Sequence, residues 1–299
     1  MKKNDAEERA AGRSGSLSVK ARAVILTAVF IIAAAIMLYP LAANIYNGYV
    51  ESSMVVEYEE SVSGISEDDY TEMIEAAQAW NEELYAYVRP SYFPDGFTNN
   101  EIYESLLNLN GDGMIGYVVI PKIDVSLPIY HYTTDEVLAK GAGHMQASSL
   151  PVGGENTHCV ITAHRGLPSA TMFSDLDELE IGDVFYLKVL DEILEYEVVE
   201  IQEVDPDETT SLMPESGRDL CTLVTCTPYG VNTKRLLVTG ERTEYDGALD
   251  SVQESSDAVE KAVDSYWYLL ACAGAEALAY AFAMARLLKG GRKSKGDAA

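Results

Sequence analysis

The sequence has few cysteines and few basic residues for its length. Four cysteines among 299 residues, without the paired spacing of zinc sites, exclude a disulfide-stabilised scaffold and a zinc knuckle. The 21 Lys and Arg residues against 48 Asp and Glu give a net charge of −27, which excludes simple binding to a nucleic-acid backbone. There is also no GxGxxG motif, no P-loop and no fixed-period repeat. We therefore expect no nucleic-acid partner, no metal and no cofactor.

The charges that are present are sorted along the chain. Six basic residues lie within residues 1–22 and five within the last 14, whereas residues 44–264 carry a net charge of −33. Apolar runs at residues 23–43 and 266–288 separate the basic ends from this acidic stretch, and the first run matches a hydrocarbon core of ~30 Å. Lys and Arg favour the cytoplasmic side of a membrane. We therefore expect two transmembrane helices, cytoplasmic termini and an acidic segment outside the plasma membrane.

Each apolar run also fits a second interpretation. The first run follows a basic leader and ends in Leu41-Ala42-Ala43, as a cleaved signal peptide does, but its length favours an uncleaved anchor. The second run contains Glu276, whose burial in a bilayer costs about 2.5–3.5 kcal/mol, so a helix on the membrane surface is the alternative.

Between the two runs the residue pattern changes from helical to β-rich. Ser66-Glu67-Asp68-Asp69 fits a capping box, and apolar residues then recur at steps of three and four as far as Arg89-Pro90, which predicts a helix. Residues 90–113 are expected to form a loop because Pro, Asn and Gly are frequent there. Short β-rich runs follow at residues 115–120, 125–130, 157–163, 184–189, 194–204, 220–225 and 234–239. They predict a closed, mainly antiparallel barrel or a sandwich.

Three polar residues at the ends of predicted strands are candidates for chemistry. His164 follows an apolar run, Cys226 follows the run at residues 220–225, and Arg235 begins the last strand. A cysteine nucleophile needs nearby positive charge to hold its thiolate, and a histidine supplies that charge and can protonate a leaving amine. An arginine keeps its proton and therefore suits donation to an oxyanion.

The segment TLVTC at residues 222–226 matches the TLxTC signature of sortases, the transpeptidases of Gram-positive bacteria. His164 and Arg235 stand where the other two catalytic residues of that family stand. The resemblance extends from about residue 111 to residue 242 and is closest to class C, the pilin-polymerising sortases. The segments that resemble class C are GAGH (141–144), SLPVGG (149–154), HRGLPSA (164–170) and TPYGVNT (227–233).

The resemblance implies a mainly β fold, an eight-stranded sortase-type barrel with an N-terminal helical extension and two flanking transmembrane helices. In chain order, the expected segments are a basic cytoplasmic tail (1–22), a transmembrane anchor (23–43), the extracellular helical extension with a candidate lid loop (44–110), the catalytic barrel (111–242), an acidic linker (243–265), a C-terminal transmembrane helix (266–288) and a basic cytoplasmic tail (289–299). The barrel is thus expected on the extracellular face of the plasma membrane.

The resemblance also implies a reaction. Cys226 attacks the Thr–Gly bond of an LPXTG-type sorting signal, His164 protonates the departing amine, and Arg235 steadies the substrate and the oxyanion. A pilin lysine then resolves the thioester, so LPXTG-type surface proteins and pilin subunits are the expected partners. Two alternatives are a cell-wall-anchoring sortase that uses a peptidoglycan amine and a membrane-anchored surface protein that is not an enzyme.

Many class C sortases carry an Asp-Pro-aromatic motif in a lid over the cysteine, and this chain departs from that motif. The nearest match is Asp95-Gly96-Phe97, with Gly in place of Pro. Because Gly restricts the backbone less than Pro does, a lid carrying Asp95 and Phe97 is expected to be looser. A simple turn is the alternative.

The remaining cysteines and histidines are assigned no role in catalysis. Cys159 and Cys221 each precede a candidate site residue by five positions. The family's parallel strands imply that both thiols lie at one level on the face opposite the site. Because disulfide geometry is demanding, we expect two buried free thiols, with a disulfide as the alternative. His131 and His158 are expected to be structural or surface residues.

Overall fold

The computed structural model describes residues 18–87 and 100–249, together with Gly274. The chain divides into two compact units, one formed by residues 1–40 and 257–299 and the other by residues 41–256. The strands of the described residues all lie in the second unit.

Helix α1, Val19–Ser63, contains the first apolar run. Its portion Ala21–Ser63 is long and apolar enough to cross a membrane, with a mean hydropathy of 2.6 in its most apolar stretch and none of that stretch buried. This exposure excludes a core helix of a globular domain, and it fits both the membrane anchor and the signal sequence considered above. The second apolar run lies outside the described residues, apart from Gly274.

The second unit is built around a closed barrel of eight strands in the order β1-β2-β3-β4-β7-β8-β6-β5. The pairs β2–β3 and β4–β7 are parallel, and the other neighbours are antiparallel. This confirms the mainly β, eight-stranded barrel expected above. The strands are β1 Met114–Ile120, β2 Val125–His131, β3 Ala142–His144, β4 Thr157–Thr162, β5 Val184–Val189, β6 Glu192–Val204, β7 Asp219–Thr227 and β8 Lys234–Thr243.

Two elements differ from what the residue pattern predicts. Strand β3 has only three residues, too few to show an alternation of apolar and polar side chains, so the pattern gave no signal for it. The expected loop at residues 90–113 contains a short helix, Asn100–Ser105. That helix is held by tertiary packing, because Tyr103 is fully buried and its ring lies 6.0 Å from that of Trp80.

Helix α2, Glu67–Tyr87, has the predicted start and the predicted apolar face. The Asp69 N–H donates to Ser66 Oγ at 3.2 Å, and the Ser66 hydroxyl donates to the Asp69 carboxylate at 2.7 Å. The amide of Asn81 makes two hydrogen bonds to the backbone of Leu150, at 3.0 and 2.7 Å, and so fixes the helix on the barrel. The apolar residues of α2 that are buried are Ala77, Trp80 and Leu84.

The end of α1 is attached to the barrel through the buried side chain of Tyr58. Its hydroxyl donates to the Ile115 carbonyl at 3.3 Å and accepts the Leu190 N–H at 2.8 Å. One hydroxyl therefore satisfies a backbone group in β1 and another in the β5–β6 turn.

We expect Tyr58→Phe to lower the free energy of unfolding by about 1–3 kcal/mol, because both buried backbone groups lose their partner. The matched control is Tyr49→Phe, since Tyr49 lies in the same helix and is 57% exposed. Denaturant-induced unfolding of the detergent-solubilised protein measures both changes. Equal unfolding free energies for the two variants would contradict the proposed attachment.

A buried polar cluster lies between the Asn100–Ser105 helix and the barrel. The Tyr103 hydroxyl lies 2.7 Å from His144 Nδ1, and His144 Nε2 lies 2.8 Å from the Ser149 carbonyl. His131 packs edge-on against Tyr103, and its Nδ1 lies 3.1 Å from the Gly113 carbonyl. Burial, with a smaller contribution from His144, lowers the pKa of His131 to about 4. His131 and His144 are thus structural residues of the core.

The low pKa of His131 predicts how stability depends on pH. The unfolded chain takes up this proton near its ordinary pKa of 6.5, whereas the folded chain does so only near 4. Between these values the unfolded state binds more protons, so acidification lowers the free energy of unfolding by up to about 1.4 kcal/mol per pH unit. His131→Asn should show a shallower dependence in denaturant unfolding across this range. Parallel curves for the two proteins would refute the assignment.

Candidate active site

Three strand ends bring His164, Cys226 and Arg235 together. Strand β4 runs parallel to β7, and just beyond its end the Ala163 N–H donates to the Val224 carbonyl at 3.1 Å. Continuing this register places His164 level with Cys226, and Arg235 in β8 lies directly opposite Cys226. Neighbouring strands are about 4.8 Å apart, so the three residues form a row across adjacent strands, here named the site row.

The site row lies on the outer face of the barrel. Side chains alternate between the two faces of a strand, and the inward positions of β4, β7 and β8 belong to the core. His164, Cys226 and Arg235 have the opposite parity, and all three are half-buried. The inward residues are Cys159 and Ile161 in β4, Cys221 and Leu223 in β7, and Leu236 and Val238 in β8.

Thr225 connects the two strands that carry His164 and Cys226. Its buried hydroxyl donates to the Ala163 carbonyl at 2.9 Å. The residue before Cys226 is therefore bound to the residue before His164. Within the TLVTC segment, the sequence pattern singled out the cysteine, but the contact of Thr225 depends on a residue 62 positions away.

Thr222, the first residue of the TLVTC segment, supports the outer face beside the row. Its hydroxyl lies 2.7 Å from His158 Nε2 and 2.8 Å from the Thr239 hydroxyl, while His158 Nδ1 lies 3.0 Å from the Met213 carbonyl. Burial lowers the pKa of His158, so the ring stays neutral with its proton on Nδ1. The β6–β7 connection is thus held against the sheet, where it joins an apolar cluster of Val160, Leu212, Val224 and Leu237.

The loop that follows His164 is closed by hydrogen bonds at its base. The Phe173 N–H donates to the His164 carbonyl at 3.1 Å, and the Gly166 N–H donates to Ser174 Oγ at 3.0 Å. The sequence pattern did not single out Arg165, yet its side chain is only 5% exposed and forms an ion pair with Asp177. The signal available in the sequence was an arginine directly after a candidate catalytic histidine.

The other candidates of the sequence analysis lie apart from the row. Cys159 and Cys221 are buried free thiols directly opposite each other, on the inward face. Burial raises the pKa of Cys221, so this thiol stays protonated. The candidate lid residues Asp95 and Phe97 lie outside the described residues, and the lid stays a prediction. Within residues 18–87 and 100–249, no group of three acidic, His or Cys side chains is arranged to hold a metal.

Comparisons with known proteins agree with this architecture. A family model described as Sortase domain matches residues 118–243. The crystal structure of sortase C1 from Streptococcus agalactiae is 41% identical, with a TM-score of 0.61, over 65% of this chain and 100% of that one. This chain belongs to the sortase family. Because these similarities cover the barrel and its row, the barrel is a sortase domain.

Two further similarities define how far the relationship extends. The structure of Streptococcus pneumoniae sortase C, described as providing insights into catalysis and pilin substrate specificity, is 44% identical with a TM-score of 0.57, covering 64% of this sortase and 97% of that chain. Sortase D of Bacillus subtilis is 35% identical over 130 residues, 42% of this chain. This sortase spans 63% of the length of that curated relative.

The bond between Thr225 and Ala163 leads to a prediction for this sortase. Thr225→Val removes the hydroxyl and leaves a buried carbonyl unpaired, so we expect a loss of about 1–3 kcal/mol in the free energy of unfolding. We also expect slower Cys226-dependent cleavage of a peptide that carries a sorting signal, by about tenfold to 100-fold, because misplacement of a reacting group is costly. Initial rates measure this, and Thr225→Ser, which keeps the hydroxyl, should recover most of the loss. A fully active Thr225→Val variant would argue against the role.

Proposed function

We propose that this sortase is a class C-like cysteine transpeptidase, which cleaves an LPXTG-type sorting signal between Thr and Gly and transfers the acyl group to a pilin lysine. The observation that carries the proposal is the site row. A thiol, an imidazole and a permanent cation lie level with one another on three adjacent strands and share one half-buried face.

In the first step, Cys226 is the nucleophile. Its sulfur attacks the Thr carbonyl carbon, and the resulting oxyanion is stabilised by the Arg235 guanidinium. The C–N bond to Gly then breaks, His164 gives its proton to the departing amine, and a thioester links the substrate to Cys226. The positive charge of His164 and Arg235 also favours the thiolate, which a domain as acidic as this one otherwise opposes.

In the second step, an amine replaces the thiol. The lysine nitrogen attacks the thioester carbonyl, the C–S bond breaks, and the amine proton returns to the His164–Cys226 pair. A thioester retains enough acyl reactivity for an amine to compete with water. The product is an isopeptide bond, and the enzyme is regenerated without any external energy source.

The pilin assignment rests on likeness to class C sortases. The S. agalactiae and S. pneumoniae structures are 41% and 44% identical to this chain, and the matches cover 100% and 97% of those two chains. The helical extension supports the same class, since α1 and α2 both pack on the barrel through buried polar contacts. We further propose that residues 23–43, within α1, and residues 266–288 both cross the plasma membrane, so that both termini are cytoplasmic and the barrel lies outside.

Incubation with a pilin and an LPXTG-type peptide, followed by mass spectrometry, tests the proposal. We expect a thioester on Cys226 and a new isopeptide bond at a pilin lysine, both abolished by Cys226→Ala. Arg235→Lys should lower kcat/KM by about 100-fold to 1,000-fold, as loss of an oxyanion donor does.

The same experiment separates the alternatives. A thioester that is resolved only by a peptidoglycan amine would identify a cell-wall-anchoring sortase. Cleavage that persists in Cys226→Ala would overturn the proposed chemistry, and the absence of any thioester in the folded wild-type protein would favour a surface protein that is not an enzyme.

A further inference from the structure

A chain of polar contacts runs beneath the site row, on the other face of the sheet. Arg165 Nη1 donates to Thr227 Oγ1 at 3.3 Å, and the Thr227 hydroxyl donates to Glu203 Oε1 at 3.2 Å. Arg165 Nε donates to the Ser174 carbonyl at 3.0 Å, and the guanidinium pairs with Asp177. The fork of one arginine thus contacts its own β4–β5 connection, at Ser174 and Asp177, and the end of β7, at Thr227.

Each member of this chain is a neighbour of the site row. Arg165 directly follows its histidine and Thr227 directly follows its cysteine. Glu203 precedes Val204, the β6 residue that pairs with the arginine of the row. Because successive side chains in extended backbone point to opposite faces, a residue next to the row contacts the back of the sheet. Arg165 and Thr227 thus each lie one residue along the chain from a member of the site row, and Glu203 lies one residue from the strand partner of Arg235.

Two hydrogen bonds, together named the bracket, lie on either side of the candidate catalytic pair His164 and Cys226. On one side, Thr225 is bound to the Ala163 carbonyl. On the other side, Thr227 is bound to Arg165. The two segments are 62 residues apart in the chain, so these bonds, and not the local backbone, determine their separation. His164 and Cys226 lie between the two bonds.

Aromatic packing strengthens the second half of the bracket. The Arg165 guanidinium lies 5.7 Å from the centre of the Tyr229 ring, within the range of a cation–π contact. A Cβ atom at Gly166 would lie 3.2 Å from the same ring, so only glycine permits this approach without displacement. The loop after His164 and the β7–β8 loop are thus in direct contact beside the row.

We propose that Arg165 is a positioning residue, whose guanidinium, bound to Thr227 and Ser174, fixes the placement of His164 relative to Cys226. This rests on the proposed function, because it assumes that those two residues react. Asp177 and Glu203 complete the network by balancing the buried charge and by orienting the Thr227 hydroxyl. Arg165→Lys retains the charge but loses the planar fork that binds both Ser174 and Thr227.

The test compares Arg165→Lys and Thr227→Val with Thr227→Ser in the full-length protein in detergent. We expect the first two variants to lower kcat for thioester formation by about 100-fold, since a displacement of about 1 Å can cost that much, while KM changes by less than about threefold. Thr227→Ser keeps the hydroxyl and should restore most of the rate. Thermal unfolding of each variant shows that the protein measured is folded.

Alkylation of Cys226 by iodoacetamide as a function of pH provides a readout that needs no substrate. With His164 displaced, less positive charge faces the thiol, so the alkylation profile of Arg165→Lys and Thr227→Val should move to higher pH. The matched control is Arg218→Lys, because Arg218 also forms ion pairs, with Glu215 and Glu241 at 2.7 Å, but lies next to the opposite end of β7. The control should leave both the profile and kcat unchanged.

Wild-type kcat and an unshifted alkylation profile in folded Arg165→Lys and Thr227→Val would overturn the proposal, as would an equal effect in Arg218→Lys. If Arg165→Lys does not fold, Thr227→Val decides, since it removes only one hydroxyl. Failure of the proposed function is recognised separately, by an absence of thioester in the wild type. In that case, the alkylation profile still tests whether Arg165 positions His164 against Cys226.

Discussion

The parallel pairing of β4 with β7 is the interaction on which the rest of the site depends. Six residues of β4 pair in register with β7, from Thr157 opposite Asp219 to Thr162 opposite Val224. The pairing joins segments more than 60 residues apart, and the buried side chains on its inward face belong to the barrel core. Core burial therefore specifies the register, because a slip of one residue would turn every inward side chain outward. Continuing this β4–β7 register by two residues places His164 level with Cys226.

Arg235 is placed beside Cys226 by the pairing of two strands that are consecutive in the sequence. Strand β8 returns antiparallel to β7 after a short connection, and its register puts Arg235 opposite Cys226. The three residues thus come from one local and one long-range pairing within the same closed sheet. A barrel without free edges gives such a row a rigid support, and catalytic groups need that rigidity more than they need proximity alone.

The two faces of this sheet carry different kinds of side chain near the site. The outer face carries the site row, whereas the other face carries the Arg165–Thr227–Glu203 contacts and the apolar core. Helix α1 contacts the loop that follows His164. The Asn47 amide donates to the Ser169 carbonyl at 2.8 Å, and the Asn44 amide lies 3.1 Å from the Thr171 hydroxyl. The loop after His164 is therefore held at its base by the barrel and farther along by α1.

The sequence by itself determined what depends on local pattern and chemical type. Alternation and turn residues predicted seven of the eight strands, and the capping box at Ser66 marked the start of α2. The TLVTC segment with His164 and Arg235 indicated the family and a candidate site. Strand β3, the helix around Tyr103, and the contacts of Thr225 and Arg165 followed only from the tertiary structure. Their partners lie far away in the chain, and a short element or a lone polar residue shows no periodicity. Which distant backbone group a hydroxyl or guanidinium meets is decided by strand register, which the burial of the whole core determines.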